Sequence, residues 1–350
     1  MKAHAGREAV AVISGLSVAW IAFALLVWLY GESPLLVGRL LFDGTWGTGY
    51  GAGQVLFKAT PLLCTGIAVD LGLRAGLFNI GGDGQLAVAS MAVALVGARL
   101  GGLPGIIALP LLVLVAMAAG AAWAYVPALL RTRFGSHEVI STIMMNRVAD
   151  AAIGALFGAG VAVAGSVRTE SVAASGRMPR LEALLPAFRG SAASFALVLA
   201  VLLALAVKWG LRRTRAGREV VLIGQNPVAC AAVRIPVARR LVLTLLLSGA
   251  CAGLASTGTV LGYKGYYEMG LGAGAGFGGI AVALLGRSSA LGLLLSALFF
   301  GTLQQGGLAI NAHVPREIMD VLEGMVIVAV SLGDARVRGA LLGSVTSGAT

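Results

Sequence analysis

The chain has 350 residues, of which 58% are apolar and 12% charged, and its mean hydropathy is +0.91. A soluble surface of this size carries about 25% charged residues, so the composition excludes a water-exposed globule and points to one integral membrane domain, 1–350. The net charge of +11 does not point to nucleic acid, because the basic residues lie between apolar spans and no soluble module carries them.

The first apolar run, 9–30, is too long for a signal-peptide core and lacks a small-residue cleavage site, so it reads as a first transmembrane helix. Further spans are expected at 55–72, 86–100, 105–126, 137–160, 194–210, 241–261, 277–286, 290–312 and 318–333. Those at 86–100 and 277–286 fall short of the ~20 residues a straight span needs, so they read as tilted, broken or re-entrant. With the N-terminus in the cytoplasm and ten crossings, 16 of the 26 Lys and Arg fall inside, eight outside and two within spans. That bias follows the positive-inside rule. The fold class expected is an all-α polytopic bundle of about ten spans, eight to ten, with both termini cytoplasmic. Segment 208–240 is then a cytoplasmic loop, 161–193 an extracytoplasmic loop, and 339–350 a flexible tail. Leu181 to Phe188 reads as a short interfacial helix.

Between the second and third spans, Gly76 to Gln85 reads Gly-Leu-Phe-Asn-Ile-Gly-Gly-Asp-Gly-Gln. Irregular backbone at membrane depth is tolerated where it is buried in protein or lines a watery cavity, and broken helices mark transport paths. Asn79, Asp83 and Gln85 are therefore candidate pathway residues, although a plain structural turn can have the same composition. Asn146 is a fourth candidate, deep in span 137–160. Arg147 and Asp150 share a face three residues on and read as a structural ion pair rather than a proton relay. Gly154–Gly158 and Gly249–Gly253 have the GxxxG spacing that lets helices approach closely, among 51 glycines that also allow chance matches.

In the loop 208–240, four arginines at 212, 213, 215 and 218 lead into Gly224-Gln-Asn-Pro-Val-Ala-Cys-Ala-Ala232. Asn226 suits a helix N-cap and Pro227 the first turn. The reading is a short helix outside the membrane, either a solvated connector or a docking helix for a cytoplasmic partner. The run Gly270 to Gly279 lacks the strand that a dinucleotide fingerprint requires and reads as an unwound entry to span 277–286. No Gly-Lys pair occurs, so the chain has no P-loop. Cys64, Cys230 and Cys251 match no zinc or disulfide spacing. No metal site and no catalytic residue is expected.

Four segments carry a resemblance. Gly76 to Gln85 resembles the Gly-Leu-Phe-Asn-Ile-Gly-Ala-Glu-Gly-Gln stretch of permease subunits of ATP-binding-cassette importers. The branch is that of nucleosides and simple sugars, related to the ribose and branched-chain amino acid permeases. His137-Glu-Val-Ile-Ser-Thr-Ile-Met-Met-Asn146, Gly224 to Ala232, and Gly278-Gly-Ile-Ala-Val-Ala-Leu-Leu-Gly286 resemble three further segments of that family, in the same order. Asp83 replaces the usual Glu, His137 the usual Asn, Arg147 a more usual aromatic residue, and Arg234 a usual glycine.

The resemblance implies a multi-pass permease of a bacterial-type inner membrane, forming the pathway for a nucleoside or related small polar solute by alternating access. It implies a second permease copy or chain, two cytoplasmic ATP-binding subunits that use ATP and magnesium, and an extracytoplasmic substrate-binding protein. It places Gln225, Asn226 and Pro227 at the ATPase contact, and Ala231 and Ala232 continue that segment. The chain itself needs no cofactor and performs no chemistry. The alternative is an ion-coupled secondary transporter using Asp70, Asp150, Asp320 or Glu323.

Overall fold

The computed structural model describes residues 17, 20–286, 289–315 and 317–332, and among them helix is the only extended regular structure. Two isolated bridges, Arg168 with Glu268 and Arg180 with Ser194, are the strand-like pairings in that set. Most of the run 9–19 and all of the tail 339–350 lie outside the described residues.

Helix α1 (Trp20–Leu29) stops before Gly31, whose φ of +93° suits glycine alone, and the chain bends by 116° into α2 (Pro34–Thr45). The sequence reading has no element at α2. Ser33 in extended conformation followed by Pro34 at the first helical position was the available signal. The chain continues through α3 (Gly49–Arg74), α4 (Gly82–Ala98), α5 (Gly105–Phe134), α6 (Glu138–Leu156) and α7 (Ala196–Arg213). It then runs through α8 (Arg215–Gln225), α9 (Pro227–Ala232), α10 (Val237–Leu254), α11 (Ala275–Leu285), α12 (Ala290–Ile310) and α13 (Glu317–Leu332). Wider π turns extend α6 over Phe157–Val161 and α10 over Thr257–Lys264. Five of these helices are long and apolar enough to cross a membrane, or six if α1 and α2 make one bent span. The two segments read as short form short apolar helices: α4 and α11 have 17 and 11 residues.

Contacts divide the chain into two units, with boundaries inside α3 and α12. One takes the residues up to Ala52 and from Thr302 on. Within it Gly306 lies against Leu41, and the Trp46 indole donates to Thr302 Oγ1 at 3.1 Å. The other unit is Gly53–Gly301. Its most extensive helix pairing is α5 with α10. Gly120 of α5 faces Gly249 and Gly253 of α10 so closely that a Cβ on any of the three would collide with the opposite backbone. Bare backbone at the crossing maximises close packing where lipid supplies no hydrophobic drive. Of the two GxxxG candidates, only this one does so, since a Cβ on Gly154 or Gly158 would meet nothing within 4 Å.

The core of the second unit gathers Met91 and Val93 of α4, Leu112 and Ala116 of α5, Ile153 of α6, and Val260 and Tyr267 beyond α10. Val172 and Met178, from the segment 161–193, close the same cluster. That segment holds 3-10 turns at Ala174–Gly176, Leu181–Ala183 and Pro186–Phe188. The single helix expected over Leu181 to Phe188 is thus two turns. Pro186 forces Leu185 into extended backbone and interrupts it.

Candidate functional site

The break between α3 and α4 is a buried hydrogen-bonded knot. Gly76 takes φ +71° and turns the chain out of α3. Asn79, 1% exposed, then uses its whole amide. Its Nδ2 donates to Ser248 Oγ at 2.7 Å and to Gln85 Oε1 at 3.0 Å. Its Oδ1 accepts from Gly81 N at 2.9 Å and from Gln85 Nε2 at 3.1 Å. Ser248 in turn donates its own hydroxyl hydrogen bond to Ala68 O at 2.7 Å, so α10 is tied to both α3 and the break.

A second set of bonds ties in α6. Asn146 Oδ1 accepts from Gly84 N at 2.9 Å, and its Nδ2 donates to Ile80 O at 3.0 Å. The Ile80 and Phe78 amides point at Thr142 Oγ1 and Glu138 Oε1, 3.3 and 3.4 Å away. Glu138 also meets Arg131 of α5 at 3.2 Å. Backbone freed by a broken helix must find partners inside the protein at membrane depth, and these side chains are the partners. The geometry therefore brings together Asn79, Gln85 and Asn146 from the sequence reading. It adds Ser248 and Thr142, polar residues in apolar spans whose partners sequence separation conceals.

Asp83 sits at the edge of this knot, half-buried, in the first turn of α4. Its Oδ1 accepts from Gly276 N at 2.8 Å in the first turn of α11, and the Gly274 and Phe277 amides also act on it. Two helix N-termini, each worth roughly half a positive charge, thus meet around one carboxylate. Gly82 and Gly276 make the meeting possible, because a Cβ on Gly82 would stand 3.0 Å from Gly276 Cα. Upstream of α11, Gly270, Gly272 and Gly274 all have positive φ, so the glycine run is an unwound entry as read from sequence. Thr65 of α3 fastens the start of α11 by donating to Ala275 O at 2.7 Å.

A second candidate element lies at α8 and α9. Thr214 caps α8 by accepting from Gly217 N at 3.0 Å, and Asn226 caps α9 by accepting from Ala229 N at 3.0 Å. Gln225, Asn226, Pro227, Ala231 and Ala232 are all exposed, with Cys230 the buried anchor between them. Val228 and Val233 are 79% and 70% exposed. The end of α9 is a Schellman motif: Ile235 N bonds to Cys230 O and Arg234 N to Ala231 O, both at 3.0 Å. Arg234 is the one non-glycine with positive φ, +63°, among the described residues. That conformation is why glycine suits the place.

Behind α9, Glu219 of α8 is clamped by Arg240 at 2.6 Å and Arg215 at 2.9 Å. The Arg240 hydrogen bond, and then that of Arg215, hold its carboxyl below the usual carboxylate range. Gly224, at the end of α8, lies on the Arg74 carbonyl and Gly76. Ala75, Leu77, Ala128, Val220 and Leu245 form a small apolar cluster beneath. The exposed element therefore abuts the chain just where the buried knot begins. At the foot of α7, Lys208 pairs with buried Asp70 of α3. No group of three His, Cys, Asp or Glu able to hold a metal occurs among the described residues.

Residues 51–331 match the family described as branched-chain amino acid transport system / permease component. The chain is 35% identical to a guanosine ABC transporter permease protein of Bacillus subtilis, over 92% of this chain and 91% of that one. It is 32% identical to a glucose ABC transporter permease protein of Haloferax volcanii, over 92% and 86% of the two chains. A nucleoside ABC transporter permease protein of Lactococcus lactis is 27% identical over 87% and 85%. No solved structure matches.

Proposed function

The chain belongs to the branched-chain amino acid transport system permease family, a multi-pass membrane family, and from that premise we propose that it forms the translocation pathway of an ATP-driven importer for a nucleoside or related small polar solute. The observation that carries the solute class is the match to a guanosine permease along nine-tenths of both chains. In this reading the short helices α4 and α11, together with α7 and α13, bring the five or six long spans to about ten crossings. Both chain ends and 208–240 face the cytoplasm, and 161–193 faces the opposite side of a bacterial inner membrane.

The exposed α9 is the grip for a separate ATP-binding subunit, which supplies the ATP and magnesium chemistry. Gln225, Asn226, Pro227, Ala231 and Ala232 make that contact. A second permease chain and an extracytoplasmic substrate-binding protein complete the assembly. Alternating access then runs from α9 through Gly224 to the start of the knot at Gly76, whose close approach supports a mechanical link. Asn79, Gln85 and Asn146 serve as the lock that holds the break, because their amides are used within the protein. Asp83 keeps one side toward the pathway.

The test is a pull-down with uptake. Asn226→Arg removes the cap and puts a charge into the grip. It should release the ATP-binding subunit from the purified complex and abolish uptake, with the membrane fold unchanged by thermal unfolding. Retained ATPase binding and uptake sinks the docking role. Uptake that survives ATP depletion but collapses with an uncoupler replaces the importer with an ion-coupled transporter.

A further inference from the structure

Arg147 and Asp150 lie at the middle of the span Glu138–Val161, the tenth and thirteenth of its 24 residues. Their side chains are 82% and 65% exposed. A charged group at that depth costs about 2.5–3.5 kcal/mol when it faces lipid. The opposite stripe of α6, Ser141, Thr142, Asn146, Ala149 and Ile153, is the one packed against the protein. The charged stripe therefore needs water or protein in front of it.

The pair is loose. Arg147 Nη1 stands 3.6 Å from Asp150 Oδ2, beyond a good hydrogen bond. A guanidinium has five N–H donors and a carboxylate about four acceptor sites, so most of both sets remains open. Asp83 precedes Gly84, whose amide donates to Asn146 Oδ1 on α6 at 2.9 Å, so it lies beside the turn that carries Arg147. Asp83 in turn joins the α4 and α11 N-termini, where the unwound glycines begin.

We propose that Arg147 and Asp150 form a solute-recognition pair on the pathway wall, taking a neutral polar solute that presents a hydrogen-bond acceptor to Arg147 beside a donor to Asp150. The edge of a nucleobase has that pattern, and so do neighbouring hydroxyls. The inference rests on the importer reading. It assigns contacts that the interior amides Asn79, Gln85 and Asn146 do not make.

The experiment uses the purified complex with its binding protein in proteoliposomes, with labelled guanosine, adenosine, uridine and glucose as probes. Asp150→Asn and Arg147→Gln should each raise the half-saturating solute concentration at least ~10-fold, as expected for a lost hydrogen bond to a charged group. Complex yield and subunit stoichiometry should stay unchanged. The double reversal, Arg147→Asp with Asp150→Arg, keeps an ion pair but exchanges donor and acceptor, and should stay impaired. Restoration by the double reversal overturns the proposal in favour of a structural ion pair. Loss of the second permease chain from the single variants overturns it in favour of a subunit interface. Unchanged half-saturation in an importing complex overturns the pair alone. Absence of ATP-driven uptake of every probe by the unaltered complex overturns the importer reading, and the pair with it.

Discussion

Asn79 and Asn226 both stand where one helix has stopped and another begins. Asn79 is enclosed, and each polar atom of its amide answers a group that has no water to turn to. Asn226 is exposed and caps a six-residue helix through one bond. The residue type is the same, but the first holds a break together inside the bundle and the second shapes a surface. What differs is the alternative available to each hydrogen bond, since water replaces the bonds of Asn226 and nothing replaces those of Asn79.

The comparison breaks first at the knot. Asn79→Leu orphans Gly81 N and both ends of the Gln85 amide. At about 1–3 kcal/mol for each unsatisfied buried group, the loss should be at least about 3 kcal/mol. Thermal unfolding in detergent measures it, and a midpoint equal to that of the unaltered chain would show that the knot is not a lock. Next is the joint between the two regions. Gly224→Val drives a side chain into the Arg74 carbonyl. Overpacking of this kind costs about 1–3 kcal/mol and should also uncouple ATP hydrolysis from uptake. Tight coupling in that variant would separate α9 from the knot.

Smaller changes sharpen the surface side. Arg234→Gly removes a left-handed conformation that costs a side-chain-bearing residue about 1–2 kcal/mol, so stability should rise by roughly 1 kcal/mol. Slower proteolysis across 226–236 is the expected readout, and faster cleavage would mean that Arg234 makes a contact worth more than its strain. The smallest effect is acid-dependent. Because Glu219 titrates below its ordinary value, its clamp is fully present above the unfolded carboxyl pKa of about 4.3. It is lost as pH falls from there through the lower folded value. Amide exchange in α8 should rise on acidification, and Glu219→Gln should flatten that rise. A pH-dependent rise that persists in the variant would assign it to another group.

The two regions also differ in how much of them was legible beforehand. The cap of α9 was readable because Asn226 and Ala229 are three residues apart, and capping chemistry is local. The short spans were readable for a similar reason, since glycines and length act along the chain. The partners of Asn79 and Asn146 were not, because Ser248 and Ile80 are 169 and 66 residues away in sequence. Gly249–Gly253 and Gly154–Gly158 have the same spacing, and only packing separates the helix crossing from the open face.

Composition, period and local capping were thus enough for a helical membrane protein, for the short and broken spans, and for α9. Those features depend on neighbours a few residues apart and on the solvent around the chain. Tertiary structure alone decided that the decapeptide is a closed knot, that α4 and α11 meet at Asp83, and that Arg147 and Asp150 face outward. Each of those depends on which helix lies opposite, and that is settled by the packing of segments far apart in the chain.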